Sequence, residues 1–175
     1  MNENNPAVPG NRPRSGQNVA IPDPVQFASS RAYAAAKIAV MPLVYLAGPY
    51  RAPTIRGISE NIERAGAVAA DVWRCGAAAV CPHKNSAYFD GVVEDQVFIA
   101  GGVAMVAACA AIVLLPRWRE SAGSLIEEAA ARRLAIPVFW ASQAVPGGLL
   151  QSWVEDWKRA RGIDPDTGVR IEREA

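Results

Sequence analysis

Between residues 43 and 161 the chain alternates short, wholly apolar runs with longer segments whose apolar residues recur at helical spacing. The run from Leu43 to Ala47 ends at Gly48-Pro49, which is typical of a buried strand closed by turn residues. Gly76 follows the next periodic segment, as expected of a residue that ends a helix. The pattern predicts strands at 43–47, 77–81, 110–115 and 136–140, and helices at 58–74, 94–109, 124–134 and from 147 onward.

Strands that alternate with helices imply right-handed crossovers and a parallel sheet. We therefore predict an α/β domain at residues 27–161: a small, doubly wound (Rossmann/flavodoxin-like) parallel sheet of four to five strands with helices on both faces. Residues 1–26 are polar and rich in proline, which predicts a disordered or loosely attached arm. A short helix is predicted at 27–39, and residues 162–175 predict a charged, frayed tail.

Composition excludes several classes of partner. The 175 residues are 51% hydrophobic, enough for one core, and 18 basic against 17 acidic residues create no field that would recruit a nucleic acid polymer or a membrane surface. The longest apolar run, 104–115, is too short to span a bilayer. Neither GxGxxG nor GxxxxGK[ST] is present, so we expect no dinucleotide and no other cofactor.

The cysteines indicate a compartment rather than a site. Cys75, Cys81 and Cys109 are odd in number and lie in apolar segments, which is typical of buried free thiols in a cytoplasmic protein. Cys75 and Cys81 could bind zinc together with His83, but a fourth ligand and a suitable turn are missing. We therefore expect no metal.

Two loops follow predicted strands and carry candidate binding residues, because ligands of parallel sheets bind beyond the carboxyl ends of the strands. Glycine in the first loop permits close approach, tyrosine can stack and arginine can pair with phosphate, although a tight turn with a solvated arginine explains the loop equally well. The second loop suits recognition of a base edge or sugar, or is an ordinary surface loop with a structural histidine. The candidates are Gly48, Pro49, Tyr50 and Arg51, then His83, Asn85 and, at the next helix, Asp95.

A third loop opens a helix that carries two neighbouring acids. Backbone N–H groups of Ser121, Gly123 and Ser124 can receive an anion at the helix N-terminus. Helical phase pairs Glu128 with Arg132 four residues on, whereas Glu127 lies at the edge of the small-residue face and is a candidate nucleophile. A capping box formed by Ser124 and Glu127 is the competing interpretation.

Several of these segments, in this order, resemble the nucleoside 2-deoxyribosyltransferase-like superfamily, and most of all its uncharacterised phage and bacterial branch. The resemblance covers about residues 43–140 and implies cleavage of the N-glycosidic bond of a nucleoside or nucleoside monophosphate, with Glu127 as the nucleophile that forms a glycosyl ester. The segments are Val44-Tyr45-Leu46-Ala47-Gly48-Pro49, Pro82-His83-x-Asn85-Ser86, Pro116-x-Trp118, Ser121-x-Gly123-x-x-x-Glu127-x-Ala129 and Ile136-Pro137-Val138.

The same resemblance implies roles for the loops and for assembly. The first loop would line the sugar or phosphate pocket, Ser121 and Gly123 would hold a 5′-phosphate, and a homodimer or larger homo-oligomer would complete the pocket. The family carries acidic residues where this chain has Gly102 and Ala110, and Asp95 is the candidate replacement. Two other functions stay open. One is a weak or inactive nucleotide-binding or sensing module, and the other is a structural oligomerisation domain, indicated by Ala-rich helices and by Trp153 and Trp157.

Overall fold

The apolar runs form four parallel strands, and the periodic segments form helices that cover both faces of the sheet, which confirms the predicted fold class. The computed structural model describes residues 41–171, so the predicted arm at 1–26 and helix at 27–39 lie outside the described residues. The elements are β1 Leu43–Ala47, α1 Ile55–Arg74, β2 Ala78–Val80, α2 Pro82–Asn85, α3 Asp95–Ala108, β3 Ala111–Leu114, α4 Ala122–Arg133, β4 Val138–Trp140 and α5 Leu149–Arg159, with 3₁₀ turns at Trp118–Glu120 and Ala141–Gln143.

The strand order is β2-β1-β3-β4, and every pairing is parallel. From β1 the chain first moves outward to β2 and then returns to the other side of β1 for β3. The register pairs Tyr45 with Ile112 and Ala47 with Leu114. In such sheets a crevice opens beyond the carboxyl ends of the two strands where the order reverses. The topology therefore predicts that the crevice is formed by the loops that follow β1 and β3.

Strand β1 is apolar throughout because both of its faces are covered. Val44 and Leu46 pack in the core cluster formed with α1 and α5, whereas Tyr45 and Ala47 pack in the cluster formed with α3 and α4. All four side chains are fully buried. A central parallel strand requires a continuous apolar run of this kind, and a tyrosine inside it needs a partner for its hydroxyl.

Both ends of α1 have local causes. The helix begins three residues before the predicted start because Thr54 caps it, with its Oγ1 accepting from the Gly57 N–H at 3.1 Å. At its other end Gly76 adopts φ +78°, the left-handed conformation that closes a helix, as predicted.

Helix α4 begins earlier than the sequence pattern predicts. Ser121 is its N-cap, and the Ser121 Oγ accepts from the Ser124 N–H at 3.3 Å. Ser124 is therefore the third helical residue and Glu127 lies in the second turn. The capping-box interpretation of Ser124 and Glu127 is wrong, because the cap is already supplied three residues upstream.

The described part of the C-terminal segment, as far as Ile171, is held by one buried side chain and several hydrogen bonds rather than frayed, although Val169 and Ile171 are largely exposed. Ile163 is fully buried and forms an antiparallel bridge with Arg170. The Ile171 N–H donates to the Gly162 carbonyl at 2.7 Å, and Lys158 Nζ donates to the Pro165 carbonyl. One apolar side chain within a charged run is enough to anchor the segment.

Two tryptophans on α5 interact within the chain. The Trp153 ring packs against Phe139 with centroids 5.6 Å apart, and the guanidinium of Arg161 lies 3.9 Å from the Trp157 ring centroid. Both tryptophans are half-buried and keep an exposed portion, so the interpretation of Trp153 and Trp157 as parts of an oligomer contact stays a prediction. No helix in the described part of the chain is both long and apolar enough to cross a membrane.

Candidate functional site

A cavity of about 600 Å³ lies at the carboxyl ends of β1 and β3 and extends between α3 and α4. The structure brings together at this cavity every residue that the sequence patterns singled out. These residues are Gly48, Pro49, Tyr50, Arg51, His83, Asn85, Asp95, Ser121, Gly123, Ser124 and Glu127.

The carboxylate of Glu127 is held at the cavity by strand β1. The Tyr45 hydroxyl donates a hydrogen bond to Glu127 Oε1 at 2.6 Å. Burial raises the pKa of Glu127 to about 7, and the bond from Tyr45 opposes that rise by favouring the charged form. Burial and the neighbouring carboxylate also raise the pKa of Tyr45, so the phenol stays protonated and acts as the donor.

Gly102 of α3 makes room for this pair. A Cβ atom at Gly102 would lie 2.5 Å from Glu127 Oε1 and 2.9 Å from the Tyr45 hydroxyl. The carboxylate and the phenol therefore fill the space in which a larger residue would place its side chain. The residue that contacts Glu127 here is thus a neutral hydrogen-bond donor from β1.

Neither of the other two expected acid positions contacts Glu127. Ala110 lies at the amino end of β3, where its N–H donates to the Leu43 carbonyl, and it is not among the residues that line the cavity. Asp95, in the first turn of α3, forms an ion pair with Arg51. Tyr45, rather than Asp95, is thus the residue that orients the candidate nucleophile.

The loop after β1 is fixed by two buried polar side chains. Asn61 of α1 donates its Nδ2 hydrogens to the Tyr50 carbonyl at 3.0 Å and the Arg51 carbonyl at 3.3 Å. His83 Nε2 lies 3.2 Å from the Pro49 carbonyl, and burial lowers the pKa of His83, so a neutral ring donates there. Through its Nε2 atom His83 therefore supports the loop after β1, as the interpretation of a structural histidine requires, while its Nδ1 atom makes no such contact.

Gly48 is required by the packing of Leu115 against the loop after β1, rather than by the close approach of a ligand. A Cβ atom at Gly48 would lie 2.6 Å from side-chain atoms of Leu115, which follows β3. The glycine thus lets the loops after β1 and β3 come into contact beneath the cavity. Gly123 is different, because a Cβ there would meet only the Ser121 Oγ, at 3.8 Å.

Residues 86–94, which connect α2 to α3, are fastened to the loop after β1. The Tyr50 hydroxyl donates to Asp90 Oδ2 at 2.8 Å and accepts from the Tyr88 N–H at 2.9 Å. Arg51 forms ion pairs with Asp90, at 3.3 Å, and with Asp95. Tyr88 adopts φ +61°, an uncommon conformation for a bulky residue. We call the residues Tyr50, Arg51, Asp90 and Asp95 the polar latch of the cavity wall. Within it the Arg51 guanidinium is already paired with two carboxylates.

Two buried polar atoms lack a hydrogen-bond partner among the described residues, and both belong to residues of the cavity. They are the Oγ of Ser124 and the Nδ1 of His83. Buried polar groups are bonded in the great majority of cases, so such exceptions call for an explanation. A polar ligand in the cavity would satisfy them.

Sequence reasoning missed Tyr45 and Asn61. Tyr45 carried a usable signal, since a tyrosine within a doubly covered strand must find a buried acceptor; nothing local marked Asn61. The pairing of Glu128 with Arg132 is confirmed. Among residues 41–171, no three His, Cys, Asp or Glu side chains are grouped so that they could hold a metal ion.

Comparison with known proteins gives one family. A family model described as Domain of unknown function (DUF4406) matches residues 42–140, which is more than half of the chain and spans β1 through β4. The matched segment contains every residue named above as lining the cavity. A search of curated proteins finds no match.

Proposed function

We propose that this chain, which belongs to the family described as Domain of unknown function (DUF4406), acts on the N-glycosidic bond of a (deoxy)nucleoside or nucleoside 5′-monophosphate. It cleaves this bond or transfers the sugar to a second base. Glu127 is the nucleophile. The observation that carries the proposal is a buried carboxylate held by Tyr45 at 2.6 Å in the cavity at the sheet's reversal point. The resemblance to the nucleoside 2-deoxyribosyltransferase-like superfamily supports the same chemistry.

The first half of the reaction forms a glycosyl ester. Tyr45 occupies Oε1 of Glu127, so Oε2 is the oxygen that attacks C1′ of the sugar. A C1′–O bond forms as the C1′–N bond breaks, and the base leaves with the electron pair of that bond and takes a proton from water. The transition state has oxocarbenium character, which a nearby carboxylate stabilises.

The second half restores the carboxylate. Water attacks C1′, releases one proton to solvent and gives the free sugar, or a second base attacks through its ring nitrogen, releases the proton of that nitrogen to solvent and gives a new nucleoside. In both cases the ester C1′–O bond breaks and its electron pair returns to Glu127. Tyr45 keeps its proton throughout, and its hydrogen bond strengthens as negative charge returns to the carboxylate.

The size and lining of the cavity suit a nucleoside. About 600 Å³ lies within the range of small-molecule sites. Phe89, Phe98 and Met105 provide apolar and aromatic surface for a base, whereas Ser121 and Ser124 provide hydroxyl groups at the end where Glu127 lies.

Assembly as a homo-oligomer is part of the proposal. From Val97 onward helix α3 carries no polar or charged side chain, and its solvent-facing stripe contains Val97, Ala100, Gly101, Ala104 and Ala108. Val97 and Gly101 also line the cavity, so a second copy on this stripe would cover the cavity's side. Ala104→Glu should convert a dimer into a monomer in light scattering coupled to size-exclusion chromatography.

Base release tests the proposal directly. A panel of 2′-deoxynucleosides and their monophosphates is incubated with the protein, and free base is measured by chromatography. We expect release that requires Glu127 and rises with pH toward 7, because the attacking carboxylate must be ionised. Glu127→Gln should abolish release, whereas Glu128→Gln, one residue along the same helix, should retain it. Release that survives Glu127→Gln would refute the assignment of the nucleophile.

A binding or sensing module is the second candidate function. It is favoured by Gly102, because the resemblance to the nucleoside 2-deoxyribosyltransferase-like superfamily implies an acid at this position, and among the described residues the contact to Glu127 comes from the neutral Tyr45 hydroxyl. Thermal stabilisation by a nucleoside or nucleotide with no base release from any of them would support it. A structural oligomerisation role would leave neither effect.

A further inference from the structure

The cavity is lined by more negative than positive charge. Among the described residues that line it, the acidic side chains are Asp90, Asp95, Glu120 and Glu127, and Arg51 is the basic one. Four carboxylates against one guanidinium leave a formal charge of −3, or −2 when Glu127 is protonated. His83 adds no charge, since burial lowers its pKa. Such a lining disfavours anionic ligands through repulsion. The side chains of Asp90, Asp95 and Glu120 are 36%, 63% and 55% exposed, so this repulsion acts largely through solvent and is sensitive to salt.

The one cation of the lining is already engaged. Arg51 pairs with Asp90 at 3.3 Å and with Asp95, and the Tyr50 hydroxyl holds Asp90 in place at 2.8 Å. A phosphate that approached Arg51 would have to displace two carboxylates, one of which is itself hydrogen-bonded. The latch therefore neutralises the residue that the sequence pattern offered as a phosphate partner.

The N-terminus of α4 also suits a hydroxyl better than a phosphate. Its N–H groups favour an anion, but Glu120 immediately precedes the cap and Glu127 lies one turn into the helix. Arg117 pairs with Glu120 at 2.5 Å, although Arg117 is not among the lining residues. The buried Oγ of Ser124 lacks a partner among the described residues and can exchange a hydrogen bond with a neutral sugar hydroxyl.

We propose that this cavity selects uncharged nucleosides over nucleoside 5′-monophosphates, and that Asp90 and Asp95 determine this selection by occupying Arg51. The inference rests on the proposed function, because it names the substrate class of the same site. It assigns Ser121 and Ser124 to the sugar hydroxyls rather than to a 5′-phosphate.

The test compares matched pairs of substrates. For each base, kcat/KM for base release is measured with the 2′-deoxynucleoside and with its 5′-monophosphate at low and high salt. We expect the nucleoside to be favoured by about tenfold or more at low salt, with a smaller ratio at high salt because salt screens the repulsion. A monophosphate that is the better substrate would overturn the inference.

A double variant tests the two aspartates. Asp90→Asn with Asp95→Asn removes two negative charges and releases Arg51, so the preference for the nucleoside should fall by about tenfold. Asp71→Asn is the matched control, because Asp71 pairs with Arg74 on α1 away from the cavity and should leave the ratio unchanged. An unchanged ratio in the double variant would show that the aspartates do not set the selection.

Binding separates failure of this inference from failure of the proposed function. Isothermal titration of the same nucleoside and monophosphate pairs does not require turnover. If no base is released but nucleosides bind more tightly than monophosphates, the glycosidic reaction is refuted and charge selection stands. If monophosphates bind more tightly, or neither ligand binds, charge selection is refuted.

Discussion

Replacement of Glu127 by glutamine should stabilise the fold at alkaline pH while it abolishes base release. In the parent the Tyr45 hydroxyl lies 2.6 Å from Glu127 Oε1. Glutamine keeps the shape of the side chain and an Oε1 atom that can accept the same hydrogen bond. It removes only the ability to ionise. The variant therefore isolates the free energy of holding a buried negative charge at this position.

The size of the effect follows from the pKa. Burial raises the pKa of Glu127 from 4.5 to about 7. Between these values the folded protein holds a proton that the unfolded chain has released, so the free energy of unfolding falls as pH rises from about 4.5 to about 7. The difference corresponds to about 3 kcal/mol, present in full above pH 7 and absent below pH 4.5. For a chain of this size that is about 6–12 °C in Tm.

Circular dichroism during thermal and urea unfolding, at pH 8 and at pH 5, measures the difference between variant and parent. We expect Glu127→Gln to be more stable than the parent by about 3 kcal/mol at pH 8 and by less than about 1 kcal/mol at pH 5. The control is Glu128→Gln, which keeps the shape of a side chain that is 13% exposed and loses its ion pair with the largely exposed Arg132, so stability should change by about 1 kcal/mol or less at both pH values. Equal stability of parent and Glu127→Gln at pH 8, or an equally large gain at pH 5, would refute the reasoning that burial disfavours the ionised form of Glu127.

Four further substitutions probe the surroundings of the carboxylate and one helix end. Tyr45→Phe removes the bond that favours ionised Glu127, so the acidic limb of the pH–rate profile should move upward by about one pH unit; an unmoved limb would exclude Tyr45 as a positioning residue. Gly102→Ala should destabilise the fold by about 1–3 kcal/mol and lower base release, because its Cβ would lie 2.5 Å from Glu127 Oε1. The neighbouring Gly101→Ala, whose Cβ meets nothing within 4 Å, should stabilise α3 by about 0.5–1 kcal/mol in the same unfolding assay. Ala135→Gly should stabilise by about 0.5–1 kcal/mol, because Ala135 closes α4 at φ +54°; a loss of stability would contradict that account of the helix end.

Local patterns were sufficient to predict the four strands and the four longer helices, but not the short helix α2, whose residues the sequence pattern predicts as a loop. The apolar run of β1 with Gly48-Pro49 after it, and the left-handed residue at Gly76, are readable without neighbours. The start of α4 could not be predicted, since Ser121 and Ser124 are both suitable N-cap residues. Only the structure shows that the Ser121 Oγ accepts the capping hydrogen bond. Ile163 was missed because a single apolar residue in a charged segment has no periodicity, although it is fully buried.

The residues of the cavity could be predicted, but the connections among them could not. Loops that follow the strands of a parallel sheet meet at one edge, and this rule alone brings Tyr50, Ser121 and Glu127 together. The bond from Tyr45 to Glu127 joins residues 82 positions apart and depends on β1 lying beside β3. The pairing of Arg51 with two aspartates likewise depends on the path of residues 86–94, which no local pattern specifies.

One small volume is shared by Gly102, Tyr45 and Glu127, and this limits which residues the chain can carry at these positions. The space that a side chain at position 102 would need is already taken by the phenol and the carboxylate. An acid at position 102 in this background would have to displace the ends of the Glu127 and Tyr45 side chains. We expect a chain with an acid at position 102 to need a different residue at position 45 if Glu127 is to keep its present place. Orientation of the Glu127 carboxylate by the Tyr45 phenol and its orientation by an acid at position 102 thus compete for the same space.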